Sequence, residues 1–211
     1  KAVAMNTKLG ERMIDFDEKL ITKYDRNGPR YTSYPTADRF STNFSASDYR
    51  RIFERRDSGT GPFSLYFHLP FCSKLCLYCG CNKIVTKDQQ QAAQYLEYLR
   101  KEIVLQSKLA GAGAKVEQLH WGGGTPTFLN AEQMMTLMGV TQDHFEFALN
   151  GEYSIEIDPR VADEHTIKHL RFLGFNRLSL GVQDFDPDVQ RDVNRVQSVA
   201  QTQRIVEAGR A

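Results

Sequence analysis

From Ser64 onward the sequence alternates short strand-like stretches with longer helix-like ones, and each strand has one apolar and one polar face. Over Ser64–Phe71, Leu65, Phe67, Leu69 and Phe71 point one way, and Ser64, Tyr66 and His68 the other. A second strand is predicted over Val116–Trp121. A third, Tyr153–Asp158, sets Tyr153, Ile155 and Ile157 against Ser154, Glu156 and Asp158. A fourth, Arg177–Gln183, sets Leu178, Leu180 and Val182 against Arg177, Ser179, Gly181 and Gln183. Strands separated by helices argue for a parallel α/β sheet. Parallel strands buried on both sides read as nearly continuous apolar runs, and these do not. A polar face cannot lie in a dry core without partners, so it should line a wet or ligand-filled cavity. The pattern fits a curved, incompletely closed barrel with a working interior, not a small barrel plugged by Val and Leu.

The helices fall between the strands. One is predicted over Gln90–Leu109, with Ala92, Leu96, Leu99 and Ile103 inward. Others are expected over Ala131–Met138, over Asp163–Leu173 with Gly174 as its stop, and over Ala200–Ala208. Ahead of them, residues 1–60 read as a leading segment and 61–211 as the main domain, with the break at Asp57–Pro62. In the leading segment Arg12–Tyr24 has rough helical periodicity. Asn27–Thr36 is an irregular stretch interrupted by Gly28, Pro29 and Pro35, and Ser47–Arg56 is a short helix.

Composition excludes several partners. With a formal net charge of +1 and scattered basic residues, nothing suggests nucleic acid or a membrane surface. No apolar run reaches the roughly 18 residues of a membrane helix, and the first ten residues lack a secretory core. The expected address is the cytoplasm, and a monomer is expected.

All four cysteines lie in one stretch, Cys72-Ser73-Lys74-Leu75-Cys76-Leu77-Tyr78-Cys79-Gly80-Cys81. A disulfide framework spreads its bridges across a fold, and clustered cysteines in a reducing compartment more often bind metal. The C-x3-C-x2-C spacing sits just past the first strand, where such folds place their active sites. Three thiolates from one loop can hold three irons of a cubane and leave the fourth open. Structural zinc and Cys81 as a fourth ligand remain alternatives on spacing alone.

The cysteine spacing followed by Gly122-Gly123-Gly124-Thr125-Pro126 resembles the radical S-adenosylmethionine (SAM) superfamily. Tyr66–Cys72, Cys79-Gly80-Cys81-Asn82, His120–Thr127, Gly181–Phe185 and Gly28–Thr36 are similar to the oxygen-independent coproporphyrinogen III oxidases within it. Related haem chaperones typically carry Asp-Phe after the third cysteine, where this chain has Gly80-Cys81-Asn82.

The resemblance implies the N-terminal portion, about four βα units, of an incomplete parallel (β/α)6 barrel. It implies a [4Fe–4S] cluster on Cys72, Cys76 and Cys79, and two SAM molecules. Glu156 would bind ribose, Tyr66 and the Gly123–Gly124 loop would flank the first SAM, and Tyr78, Gly124, Thr125, Gln183 and Arg195 would meet the second. The implied reaction is decarboxylation of coproporphyrinogen III to protoporphyrinogen IX through a 5′-deoxyadenosyl radical, fed by a reduced flavodoxin or ferredoxin. Three glycines followed by Thr-Pro match neither a Rossmann nor a Walker loop. Arg30 and Arg39 are candidate partners for substrate carboxylates. His68 and His120 face inward without an assigned role. Family members are about twice this length, so the 211-residue chain by itself is expected to be inactive. A haem-delivering relative or a non-enzymatic metal-binding fragment are the alternatives.

Overall fold

The computed structural model describes residues 7–9, 12–14, 17–25, 35–55 and 61–211. The chain divides into two compact units, Lys1–Tyr49 and Arg50–Ala211.

In the first unit, β1 (Thr7–Leu9) and β2 (Arg12–Ile14) form an antiparallel pair in which Thr7 faces Ile14 and Leu9 faces Arg12. Helix α1 (Glu18–Tyr24) follows, and α2 (Ala46–Glu54) begins in this unit. The single helix expected over Arg12–Tyr24 is therefore a strand and a shorter helix. The Asp17 carboxylate accepts from the Leu20 amide at 3.0 Å, so the N-cap starts the helix there. The irregular stretch over 27–36 lies outside the described residues up to 34, and Arg30 with it.

The second unit carries the predicted alternation. Strand β3 (Phe63–Leu69) runs into a two-residue strand, β4 (Phe71–Cys72), which pairs in parallel with β5 (Ile84–Val85). Then come α3 (Gln89–Ala110), β6 (Lys115–Gly123), α4 (Ala131–His144), β7 (Glu146–Ile157), α5 (Glu164–Phe172), β8 (Arg177–Leu180), α6 (Pro187–Asp192) and α7 (Val199–Arg210). The four-stranded sheet has order β3-β6-β7-β8 and is parallel throughout. Each new strand lies beside its predecessor, so the sheet grows in one direction. A doubly wound sheet reverses its order at a switch point, and this sheet does not. The winding is that of an incomplete barrel.

Packing follows the predicted faces. Trp121 of β6, Ile155 of β7 and Leu170 of α5 are 0% exposed. The Trp121 ring meets Phe175 edge-on at 4.9 Å. Ala92, Leu99 and Ile103 of α3 are buried and Leu96 packs against the same core. Asn130 with Gln133, Asp163 with Thr166 and Ser198 with Gln201 form capping boxes, so α4, α5 and α7 start where side chains satisfy their first free amides. Gly174 takes φ +96° just past α5, as its predicted stop requires.

Several elements of this unit differ from expectation. Strand β7 begins at Glu146, not Tyr153, and α4 runs on past Met138 to His144. The β4–β5 pair was not anticipated. Strand β8 ends at Leu180, not Gln183. Beyond it the Gly181 carbonyl accepts from Arg195 Nη2 at 2.6 Å and the Val182 carbonyl from Gln197 Nε2 at 2.8 Å, so side chains take the places of ladder bonds. Helix α6 was not anticipated; Asp186 caps it, accepting from the Asp188 and Val189 amides. Replacing Ile155 with Ala is expected to cost about 2–5 kcal/mol of stability. Replacing the cap Asn130 with Ala should cost only about 1 kcal/mol. Urea denaturation of the two variants checks both the sizes and their order.

Candidate active site at the carboxyl ends of the strands

Every strand of the sheet contributes the residues just past its C-terminal end. The cysteine loop follows β3, Gly123–Thr125 closes β6, Asp158 and Arg160 follow β7, and Gly181–Gln183 follows β8. All four segments line one cavity of about 370 Å³. The C-terminal edge of a parallel barrel is where loops from separate strands can converge on one ligand.

The cysteine loop is pinched at its base. The β4–β5 pair brings Cys72 opposite Val85, the Ile84 amide donates to the Pro70 carbonyl at 2.8 Å, and the Thr86 amide to the Cys72 carbonyl at 2.9 Å. All four thiols are free; Cys72 and Cys76 are buried, Cys79 is half-buried and Cys81 is exposed. Burial pushes the Cys72 thiol up, opposed by the Thr125 hydroxyl, which lies 3.6 Å from its sulfur. Burial also raises Cys81, with a contribution from its contact with Cys79.

The glycine loop is locked against that base. The Gly124 amide donates to the Leu69 carbonyl at 2.9 Å and the Thr125 amide to the Phe71 carbonyl at 2.8 Å. A Cβ at Gly124 would come within 2.7 Å of the Pro70 and Phe71 backbone, so no larger residue fits. Gly123 holds φ +113° with the His68 ring 2.7 Å from where its Cβ would stand. Its amide donates to Glu156 Oε2 at 3.1 Å, which aims that carboxylate along the cavity wall.

The polar faces continue below this level. His120 lies 2.6 Å from Ser154 Oγ and 3.4 Å from Glu156 Oε1, and His68 lies 3.1 Å from the Tyr66 hydroxyl and 2.9 Å from the Asn82 carbonyl. Both rings thus have partners on both nitrogens. The Tyr66 ring stacks on His120 at 5.8 Å. Burial, then the Glu156 charge, raise the Tyr66 hydroxyl above its ordinary value.

Of the sequence-predicted site residues, Cys72, Cys76, Cys79, Tyr78, Gly123 and Gly124 line the cavity, and so do Thr125, Glu156, Gln183 and Arg195. Tyr66 is the exception. It lines a neighbouring cavity of about 330 Å³ with His120, Ser154 and Arg177. Arg39 is exposed and pairs with Asp38 at 3.6 Å. Among the cavity residues that the sequence did not mark are Asp158, read only as a polar-face residue, and Arg160. Arg160 clasps the Asp158 carboxylate through Nε at 3.0 Å and Nη2 at 2.6 Å, and Arg195 Nη1 reaches the same oxygen at 3.4 Å. The one available signal was Asp158 on the polar face with an arginine two residues on.

Burial alone would raise the Asp158 carboxyl. The Arg160 hydrogen bonds and the two guanidinium charges outweigh it and hold the carboxyl below its ordinary value. The donor set suits an iron–sulfur cluster. Among the described residues, no three His, Cys, Asp or Glu side chains are placed to share one metal ion. In a cubane each thiolate meets its own iron, and free thiols clustered on one loop are the donors such a group takes. Arg195 Nε is buried without a partner, leaving one donor of that guanidinium unspent.

A fold wound in one direction, with a cysteine loop after its first strand and a glycine cradle after its second, places the chain in a known class. The Radical SAM superfamily profile matches residues 66–211, and the chain belongs to that superfamily. Among its relatives, the oxygen-independent coproporphyrinogen III oxidase of Escherichia coli (strain K12) is 53% identical over 88% of this chain and 40% of its own length. That of Pseudomonas aeruginosa is 49% identical over 93% of this chain and 43% of its own. The solved structure of coproporphyrinogen III oxidase (HemN) from Escherichia coli, a radical SAM enzyme, superposes with a TM-score of 0.85 at 49% identity, covering 93% of this chain and 43% of that one. The chain thus spans about two-fifths of the length of these relatives. Among the described residues, no helix is long and apolar enough to cross a membrane.

Asp158→Asn should be strongly destabilising, by about 3–5 kcal/mol, because two buried guanidiniums lose their counter-charge. The wild-type carboxyl is held below its ordinary value of 3.8. Its contribution is therefore whole above that pH and is lost as pH falls through the lowered native value. Urea midpoints at neutral pH and in the window below 3.8 should show acid sensitivity in the wild type that the variant lacks.

Proposed function

We propose that this chain supplies the cluster- and SAM-binding part of an oxygen-independent coproporphyrinogen III oxidase. The observation that carries the reading is the convergence, in one cavity, of the three motif cysteines with the Gly123–Gly124 cradle and Glu156. Identity near 50% to curated oxidases from several bacteria supports the substrate, coproporphyrinogen III.

Bound there, the cluster and SAM would supply a 5′-deoxyadenosyl radical able to take hydrogen from a propionate side chain, which would then lose carbon dioxide and pass one electron to a separate acceptor. The chain's own residues hold and orient. Cys72, Cys76 and Cys79 would hold the cluster through their thiolates, which as three ligands would leave a fourth iron for SAM. Gly123 and Gly124 let a ligand approach the backbone, where a side chain would block it. Glu156 is fixed by the Gly123 amide on one oxygen, and as a carboxylate it accepts from ribose hydroxyls. Tyr66, on the wall of the neighbouring cavity, would flank the first SAM.

Tyr78, Gly124, Thr125, Gln183 and Arg195, which all line the same cavity, would serve a second SAM. A reduced flavodoxin or ferredoxin supplies the electron, and a monomer working in the cytoplasm suits that supply. The 211-residue chain by itself is expected to lack turnover, because it spans only 40% of the length of the Escherichia coli relative.

The test is anaerobic reconstitution of the full-length protein with iron and sulfide. Alanine at Cys72, Cys76 or Cys79 should abolish both the cluster chromophore and formation of 5′-deoxyadenosine, and Cys81→Ala should retain the chromophore. A cluster surviving loss of any of the three, with SAM cleaved at the wild-type rate, would falsify the assignment. Tight haem binding without SAM cleavage would point instead to a haem-delivering relative. Separately, Glu156→Gln should weaken SAM binding about 10-fold or more, the worth of a hydrogen bond to a charged group, as read by calorimetry on the loaded protein.

A further inference from the structure

Arg160 spends its guanidinium on three things at once. Nε and Nη2 hold the Asp158 carboxylate, Nη1 donates to the Asn194 carbonyl at 3.2 Å, and Nη2 lies 3.3 Å from Cys76 Sγ. The side chain is 7% exposed. The segment it touches is itself a clamp on the cysteine loop. Asn194, in the left-handed region at φ +53°, donates from Nδ2 to the Leu75 carbonyl at 2.7 Å, and the Leu77 amide donates to the Val193 carbonyl at 3.0 Å. Arg160 thus joins the end of β7, the turn after α6 and the middle cysteine of the loop.

We infer that Arg160 is a positioning residue for the Cys76 thiolate, and that its N–H···S bond raises the reduction potential of the cluster that this thiolate holds. The inference rests on the function proposed above. A hydrogen bond to a ligating sulfur draws electron density from it and so favours the reduced, more negative cluster; such bonds are among the terms that set cluster potentials. The Asp158 carboxylate fixes the guanidinium, so its donor stays aimed without reorganising when the electron arrives. Arg195 Nη1, at 3.5 Å from the same sulfur, adds a weaker contact but also serves the Gly181 carbonyl. Lysine could replace the charge but not the three-way fork.

The experiment is an EPR-monitored redox titration of the reconstituted full-length protein, without SAM, for wild type, Arg160→Leu and Arg160→Lys. The expected result for Arg160→Leu is a reduction equilibrium shifted about 10-fold against the reduced cluster, ~59 mV for one electron. Arg160→Lys should shift the same way by less. Iron content should stay at the wild-type level in at least the lysine variant. Wild-type potentials in both variants would overturn the inference, as would failure of both to fold, since Arg160 would then serve the fold alone. If only the leucine variant fails to load, the lysine variant decides. Wild-type protein that takes up no cluster would instead sink the proposed function, and this inference with it.

Discussion

One buried carboxylate organises the site. Asp158 stands at the end of the third strand of the sheet, shared by Arg160 and Arg195, and both arginines reach on to Cys76 Sγ. Charges this deep are costly unless paired and hydrogen-bonded. Here the pairing is nearly complete, because the two arginines also donate to the Asn194 and Gly181 carbonyls. The same ionic cluster therefore fixes the cysteine loop, the exit of β7 and the turn before α7 relative to one another. Beside the β4–β5 pair at its base, the loop is also held by Asn194 on the Leu75 carbonyl and by the Leu77 amide on the Val193 carbonyl, in the turn that this cluster braces.

The sheet divides the work by face. Apolar residues on one side meet the helices and form the core around Trp121, Ile155 and Leu170. Polar residues on the other side satisfy each other in place of water. His120 links Ser154 to Glu156, and Glu156 in turn receives the Gly123 amide. Each polar strand residue is thus both a cavity wall and a support for its neighbour. Membership of the radical SAM superfamily gives this division its sense, because a cofactor carried inside a barrel needs walls that are wet, fixed and close. The glycine loop meets the last need at Gly124, where even a methyl group would strike the backbone of the cysteine loop.

Much of this is legible from residue order. Strict alternation in Ser64–Phe71 and Tyr153–Asp158 marks strands with one polar face, because side chains on a pleated strand point to opposite sides with period two. The clustering of Cys72, Cys76 and Cys79 marks a cavity-lining loop, and Gly122–Gly124 marks a close approach. Period alone misleads at Arg12–Tyr24, where the cap at Asp17 starts the helix later than the apolar spacing suggests. It also overextends the fourth strand, whose last carbonyls are claimed by Arg195 and Gln197 from far along the chain.

The sequence by itself determined the class of fold, the order of its elements and which side of each strand is polar, since these depend on neighbours a few residues apart. Only the tertiary structure decided that Arg160 belongs to the site and that Tyr66 lines an adjoining cavity. It alone also joined Cys76 to Arg160 and Arg195. Those are contacts between residues up to 119 positions apart. Winding the sheet brings them together, and no local pattern records the distance between the ends of two strands.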